Sequence, residues 1–463
     1  MAALLAMTAT AMGTQAALAS PLSLHPQNPH YFLFRGKPAV LITSGEHYGA
    51  VLNLDFDYRK YLDTLAADGL NLTRTFSGAY VEPPGAFAIA SNTLAPKPGR
   101  FICPWARSDQ PGYAGAGNKF DLTHWDDAYF ARLKDFVAYA GQRGIVVEMN
   151  LFCPMYDDSQ WAISPMNAVN NINGVGKVGK NEVYDLKKND GLLLVQEALV
   201  RKIVNELRDA DNVYYEICNE PYFGGVTMEW QHHIADVITA TEQGWTGHHL
   251  ISQNIANVSR KIEQPHPQVS IFNFHYAHPP TTVAENFGLN KVIGLNETGF
   301  HGTADDYYRM EAWEFILAGG GLYNNLDYSF TAGHEDGTFQ YPATQPGGGG
   351  VTFRQQMKVL KDFLHSLDFL KLQPAPGFIH SGLPDKAQSQ VLATPGQQYA
   401  MYLKGAANAL LQLDLPAGNY HVARVDVLTG QTVQSYNLQH GGGHYSLPVP
   451  ANFREVAVKI VRF

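Results

Sequence analysis

Hydrophobic positions along this chain switch between two periods. From about residue 39 to 370, short apolar runs rich in β-branched residues alternate with stretches whose apolar residues recur every three or four positions. That alternation predicts βα units around a parallel sheet. Strands are expected at Ala39–Thr43, Leu70–Thr75, Ile145–Leu151, Val213–Ile217, His249–Ser252, Val269–Phe274, Lys291–Leu295 and Gly321–Leu326. Between them, Asp57–Ala67 aligns Tyr58, Tyr61, Leu62 and Leu65 on one helical face. Trp125–Ala140 aligns Tyr129, Leu133, Phe136, Val137 and Ala140, and Leu192–Leu207 aligns Val195, Leu199, Ile203 and Leu207. These stripes belong to the core. Eight such units predict a (β/α)8 TIM barrel, over residues 22–373.

Two connections exceed the usual length: Phe76 to about Thr123, and about Phe152 to Asn189. They follow the second and third strands, so both should wall the C-terminal face of the barrel, where active sites form. After Pro342–Gly350 and a helix at Phe353–Leu370, the period changes to two. Strands at Tyr399–Lys404, Ala409–Asp414, Tyr420–Asp426, Thr432–Asn437, Gly443–Pro448 and Glu455–Val461 predict an antiparallel β-sandwich over 374–463. It carries no catalytic cluster, so packing against the barrel is its expected role, with carbohydrate binding the alternative.

Composition sharpens this picture. With 463 residues, 45% apolar, the chain can bury a large core. A formal charge of −9 without any basic cluster excludes the electrostatic footprint of a nucleic-acid or anionic-membrane partner. Ala2 to Ala17 is small and apolar and leads to Ala17-Leu18-Ala19, which resembles a signal-peptidase site. A signal peptide over 1–19 and a secreted or periplasmic location are expected, although the usual basic start is missing. No later stretch is long enough for a transmembrane helix. Cys103, Cys153 and Cys218 fit no metal or redox spacing. Cys103 and Cys153 fall in expected loops, where they can pair; Cys218 reads as a buried thiol.

Two strand ends carry the candidate chemistry. Val213 to Ile217 runs into Cys218-Asn219-Glu220-Pro221, where proline stops the strand behind Glu220. Lys291 to Leu295 runs into Asn296-Glu297-Thr298-Gly299. These are strands four and seven, facing each other across a narrow barrel. Cleavage of a glycosidic bond needs two carboxyl groups facing that bond. A lone strand-end Glu is usually an exposed loop acid; two at these units favour catalysis. The adjacent pairs His232-His233 and His248-His249 lack the i, i+4 spacing of a helical metal site, so neither metal nor cofactor is expected. There is no G-x-G-x-x-G after a strand, no P-loop and no G-x-S-x-G elbow.

These motifs resemble those of clan A retaining glycoside hydrolases, most closely family 5, over residues 30 to 370. Asn219-Glu220-Pro221 looks like the strand-four acid/base motif and Asn296-Glu297-Thr298-Gly299 like the strand-seven nucleophile motif. Gly69-Leu70-Asn71-Leu72-Thr73-Arg74 resembles the strand-two pattern, and Asn273-Phe274-His275-Tyr276 the strand-six pattern. The resemblance implies that Glu220 is the acid/base and Glu297 the nucleophile of a double displacement on a β-type glycosidic bond of an oligo- or polysaccharide. Arg74 would keep Glu297 ionised, and Asn219 would bind the sugar 2-hydroxyl. The acid/base should then have a raised pKa. His275 and Tyr276 are adjacent, so strand alternation leaves open which one faces the nucleophile. The family's strand-three histidine and strand-eight tryptophan are absent, replaced by Glu148-Met149-Asn150 and by Tyr323-Asn324-Asn325-Leu326-Asp327-Tyr328. Asn150, Asn325 and Asp327 are therefore expected to contact sugar instead. Glu46 and His47, ending strand one, are candidates for sugar contact or loop capping. Trp161, like Trp105, is a candidate for stacking or for anchoring a loop. Glu216 reads as a satisfied interior carboxylate. Competing readings are a non-catalytic carbohydrate-binding barrel, an inverting hydrolase, a transglycosylase and an arabinofuranosidase.

Overall fold

The computed structural model describes residues 20–463 except Asn452; the expected signal segment lies outside the described residues. Eight parallel strands form the barrel: β1 Leu41–Gly45, β2 Leu72–Phe76, β3 Val146–Phe152, β4 Val213–Cys218, β5 Ile251–Asn257, β6 Val269–His275, β7 Val292–Glu297 and β8 Leu322–Leu326. Each expected strand is present, displaced by at most a few residues. Hydrogen-bonded neighbours run from β1 through β8, β7, β6, β5, β4 and β3 to β2. β1 and β2 share no ladder. Asn71 bridges that seam instead, accepting from Ile42 N at 2.9 Å and donating to Val40 O at 2.8 Å.

The outer helices are α1 Tyr58–Ala67, α2 Asp127–Gln142, α3 Asp158–Ile163, α4 Leu192–Glu206, α5 Met228–Thr241, α6 Thr281–Asn286, α7 Asp305–Leu317 and α8 Val351–His365. Asp57 and Asp126 cap α1 and α2 by accepting backbone N–H bonds. The buried faces follow the apolar stripes: Tyr61, Leu62 and Leu65 on α1, and Leu199, Val200 and Ile203 on α4. One unit departs from the expected pattern, because β5 passes to β6 through residues 258–268 without a helix. The connection after β2 contains a hairpin, Trp105–Pro111 paired with Asn118–Trp125. A three-stranded antiparallel sheet within residues 23–39 closes the other end of the barrel, where Phe32 packs in one cluster with Leu41, Leu72, Val146, Ile271 and Val292.

Past α8 come the antiparallel strands β9 Gln388–Thr394, β10 Gln398–Lys404, β11 Leu410–Leu415, β12 Gly418–Val425, β13 Thr432–His440, β14 Gly443–Pro448 and β15 Glu455–Arg462. They form a large and a small sheet facing over Met401, Leu411, Leu413, Val422 and Ile460. β9 had no counterpart among the expected strands. Its run Gln388-Ser389-Gln390 is polar and only Val391 to Ala393 are buried, so its periodic signal is weak. This sandwich docks on α7: Arg309 and Tyr402 both bond Glu455, and Trp313 stacks on Tyr402.

Candidate active site

The strands β4 and β7 deliver Glu220 and Glu297 to one narrow cleft of about 90 Å3 at the C-terminal end of the barrel. Both are nearly buried. Glu220 leaves its strand through a left-handed turn (φ 36°) that aims the carboxylate inward. One side-chain atom each from Glu220, His275 and Glu297 lies within 4.8 Å of the others. Three such ligand atoms have the spacing of a metal site. The Arg74 guanidinium, 3.3 Å from Glu297, already supplies positive charge there and opposes a cation.

Different partners hold the two carboxylates. Glu297 accepts from Tyr276 Oη at 2.6 Å, Arg74 Nη1 at 3.3 Å and Tyr48 Oη at 3.3 Å. Glu220 accepts from Tyr156 Oη at 2.6 Å and Tyr222 Oη at 3.2 Å, and His275 Nδ1 lies 3.1 Å away. Burial pulls the Glu220 carboxyl upward, but His275, Tyr156 and Tyr222 outweigh it and hold its pKa below the ordinary value. That direction is opposite to the raised pKa expected for an acid catalyst.

Both His275 and Tyr276 face the carboxylates. The alternation argument fails here because Tyr276 lies past the strand end in a left-handed conformation (φ 51°), after a register shift between Phe274 and His275. The ring of His275 therefore meets Glu220 while the Tyr276 hydroxyl reaches Glu297.

Arg74 is positioned from below. It is fully buried, bonds Glu216 and donates to Asn219 Oδ1 at 2.8 Å. Asn273 and Asn296 each donate to both Glu148 and Glu216, at 2.7–3.0 Å. Glu216 is thus satisfied, as its inward strand parity suggested. Burial, reinforced by Glu216, pushes Glu148 well above the usual carboxylate range. Burial opposes ionisation of Glu216 too, yet Arg74 and Glu148 hold that group low. The pair keeps one negative charge beneath the guanidinium. Gly294 permits the arrangement, because a Cβ there would lie 2.3 Å from Asn273 Oδ1.

Asn219 turns its Nδ2 to Tyr156 Oη at 2.8 Å, at the cleft wall. His47 lines the cleft with both ring nitrogens lacking a partner among the described residues, and burial pushes its pKa down to about 3. It is a neutral ring available to a ligand.

Several expected contacts are elsewhere. Glu46 is turned away and accepts from Gly49 N, Ala50 N and Thr93 Oγ1, the capping role. Trp161 donates to Val178 O and is buried in its own loop, and Trp105 is fully buried; both are anchors. Asp327 accepts from Ser44, Ser329 and Arg354, and Asn325 accepts from Thr298 and donates to Ser44. These two brace β8 against β1 and α8 and do not line the cleft. Asn150 is likewise buried outside the lining. Cys103 and Cys153 are separate buried thiols, unpaired. His233 and His249 pair with Glu197 and Glu242.

Apart from Tyr276, sequence reasoning missed the aromatic wall: Tyr48, Phe76, Tyr80, Tyr156 and Tyr328 with Phe87 and Phe300. It also missed Glu82, which lines the same cleft and accepts from Tyr80 and Asn92. Burial raises its pKa to about 7. The only available signal was the density of tyrosine and phenylalanine near strand ends and in the loop after β2.

Residues 100–273 match the family model described as cellulase (glycosyl hydrolase family 5). No curated protein matches by sequence. Among solved structures, a protein of Bacteroides vulgatus ATCC 8482 provisionally described as a glycoside hydrolase aligns with TM-score 0.66 and 12% identity, over 97% of this chain and 83% of that one. A family 5 glycoside hydrolase of the same organism aligns with TM-score 0.61 and 12% identity, over 96% and 93%. The endo-1,4-β-mannanase of Rhizomucor miehei aligns with TM-score 0.51 and 12% identity, over 75% and 100%. The fold these findings show is that of the barrel glycoside hydrolases. Within that class the resemblance is to family 5 of clan A, as the strand-end motifs implied.

Proposed function

We propose that the protein hydrolyses β-type glycosidic bonds with retention of configuration, using Glu297 as nucleophile and Glu220 as acid/base. The observation that carries this reading is that one oxygen of each carboxylate lies within 4.8 Å of the other. Retaining enzymes hold them about 5–5.5 Å apart, and inverting ones about 6.5–9.5 Å, to admit a water. The unequal surroundings support the assignment of roles. Among the described residues, Glu297 touches the only guanidinium that reaches the pair, a countercharge suited to an attacking carboxylate.

Attack by a Glu297 oxygen on the anomeric carbon breaks the bond to the leaving oxygen, which takes up a proton. That proton comes from the Glu220 carboxyl, which His275 Nδ1 adjoins at 3.1 Å. The low pKa of Glu220 in the free protein reflects the bonds from His275, Tyr156 and Tyr222 that favour its charged form, and a leaving group seated against it displaces that balance. Water, deprotonated by Glu220, afterwards attacks the glycosyl ester and releases the sugar with its original anomeric configuration. His47 and Asn219 are the hydroxyl contacts at the reacting sugar.

The test is proton NMR of the first-formed anomer from an aryl glycoside hydrolysed by the wild-type protein. Initial release of the substrate's own anomer is expected. Release of the opposite anomer, or unchanged turnover by Glu297→Ala, contradicts the mechanism. The apolar stretch over 1–19 supports secretion, checked by sequencing the N-terminus of exported protein for a start at Ser20.

A further inference from the structure

Three phenylalanines stand exposed around the mouth of the catalytic cleft. Phe87, Phe223 and Phe300 are 46%, 44% and 66% exposed. Each leans on a tyrosine that bonds one of the paired glutamates. Phe87 meets Tyr156 edge-on at 5.4 Å, Phe223 is tilted against the same ring at 5.8 Å, and Phe300 meets Tyr276 edge-on at 5.2 Å. A single exposed apolar side chain is ordinary; three on one rim, continuous with a buried lining, mark a contact surface. Phe87 is also held there against its backbone preference. It and Ala88 have φ of 54° and 56°, a region that bulky residues avoid, and such conformations gather where a ligand is clamped.

The rim has a chemical direction. Tyr156 bonds Glu220, from whose side the leaving oxygen receives its proton, so Phe87 and Phe223 stand where the departing group goes. Phe87 leans on Tyr156 there, and Phe87, Ile89 and Leu94 line the cleft without a side-chain donor or acceptor. A sugar ring there would turn hydroxyls toward carbon, and a buried hydroxyl without a partner is unfavourable. An alkyl or aryl group would bury apolar surface instead. Resting on the glycosidase reading above, we propose that the aglycone side of the cleft receives an apolar group, so that the substrate is an amphiphilic glycoside with an alkyl or aryl aglycone.

The experiment first finds, from a panel of 4-nitrophenyl glycosides, a sugar the wild-type protein hydrolyses. Its n-alkyl glycosides from methyl to octyl, below their micelle concentrations, and its disaccharide are then compared by kcat/KM. The expected result is a rise with chain length of up to about fourfold per methylene, the factor from burying one CH2. The octyl glycoside should exceed the disaccharide. Phe87→Ser with Phe223→Ser should flatten the slope, which is the readout rather than the absolute rate. Phe223 is exposed, so Phe223→Ser alone gives the same readout should the double variant fail to fold. A flat wild-type series, a better disaccharide, or an unchanged slope in the variants overturns the proposal while hydrolysis itself stands. Failure of the wild-type protein to hydrolyse any panel glycoside overturns the glycosidase reading instead.

Discussion

Between the core of the C-terminal sandwich and the mouth of the barrel, one chain meets the cost of burial in two ways. In the sandwich, Met401, Leu411, Leu413, Val422 and Ile460 are buried against one another and carry no polar side-chain group. At the mouth, Arg74, Glu148, Glu216, Glu220 and Glu297 are all buried, with His275, Asn219, Asn273 and Asn296 among them. Removing ions from water is expensive, and mutual pairing offsets that cost only when every partner is in place. The sandwich is therefore expected to tolerate volume-conserving change. The mouth is expected to tolerate almost none, because each carboxylate depends on the guanidinium, hydroxyl or ring beside it. Backbone geometry differs in degree: the left-handed non-glycine residues Tyr48, Phe87, Glu220, Tyr276 and Phe300 line the cleft, against Lys386 and Asn408 in the sandwich. Departures from local preference of this kind gather at functional sites.

This contrast can be broken by mutation. The largest effect is expected from Glu297→Gln, an isosteric change that should abolish turnover and also lower the thermal midpoint by removing a charge paired with Arg74; wild-type-like rates would place the chemistry elsewhere. Glu220→Gln should lower kcat by about 10²–10⁴-fold on substrates with poor leaving groups, the range for loss of a general acid. The loss should shrink for activated aryl glycosides that need no protonation. Arg74→Met should destabilise by about 3–5 kcal/mol through the unpaired Glu216, and remove activity as well. Leu413→Ala in the sandwich should cost a similar 2–5 kcal/mol. Its kcat, measured well below the new midpoint, should remain that of the wild type. Denaturant titration and initial rates on the two variants separate these outcomes.

A smaller, pH-dependent effect sharpens the comparison. Folding raises the Glu82 pKa from 4.5 to about 7, so the native state holds this proton more tightly than the unfolded chain. The stability linked to Glu82 is fully present below about 4.5 and is lost as pH rises through about 7. Glu82→Gln should match the wild type at pH 4 and exceed it increasingly from pH 5 to 8. A constant difference in unfolding free energy across that range would contradict this.

Much of the barrel was legible from period alone, because its strands and helices have strongly patterned buried faces. Glu220 and Glu297 were legible as strand-end acids, since Pro221 and Gly299 mark where each chain turns away. What was not legible depends on distant parts of the chain. The bonding of Asp327 to Ser44 and Arg354 joins residues some 280 and 27 positions apart, and no local pattern distinguishes such a brace from a sugar ligand. Trp161 looked available because loop aromatics carry no period; only the loop's own packing reveals that it is buried. The facing of His275 and Tyr276 escaped the alternation rule because a left-handed residue ends the strand. The hydroxyls of Tyr156, Tyr222 and Tyr48 reach the carboxylates from three different loops.

The pairing of Glu220 with Glu297 is tested most directly by trapping the covalent intermediate. The protein would be incubated with a 2-deoxy-2-fluoro glycoside bearing an activated leaving group, digested, and mapped by mass spectrometry. A single glycosyl adduct on the peptide containing Glu297, absent in Glu297→Gln, is the predicted result. An adduct on Glu220 or Glu82, or time-dependent hydrolysis with no adduct at any residue, would contradict the assignment of Glu297 as nucleophile.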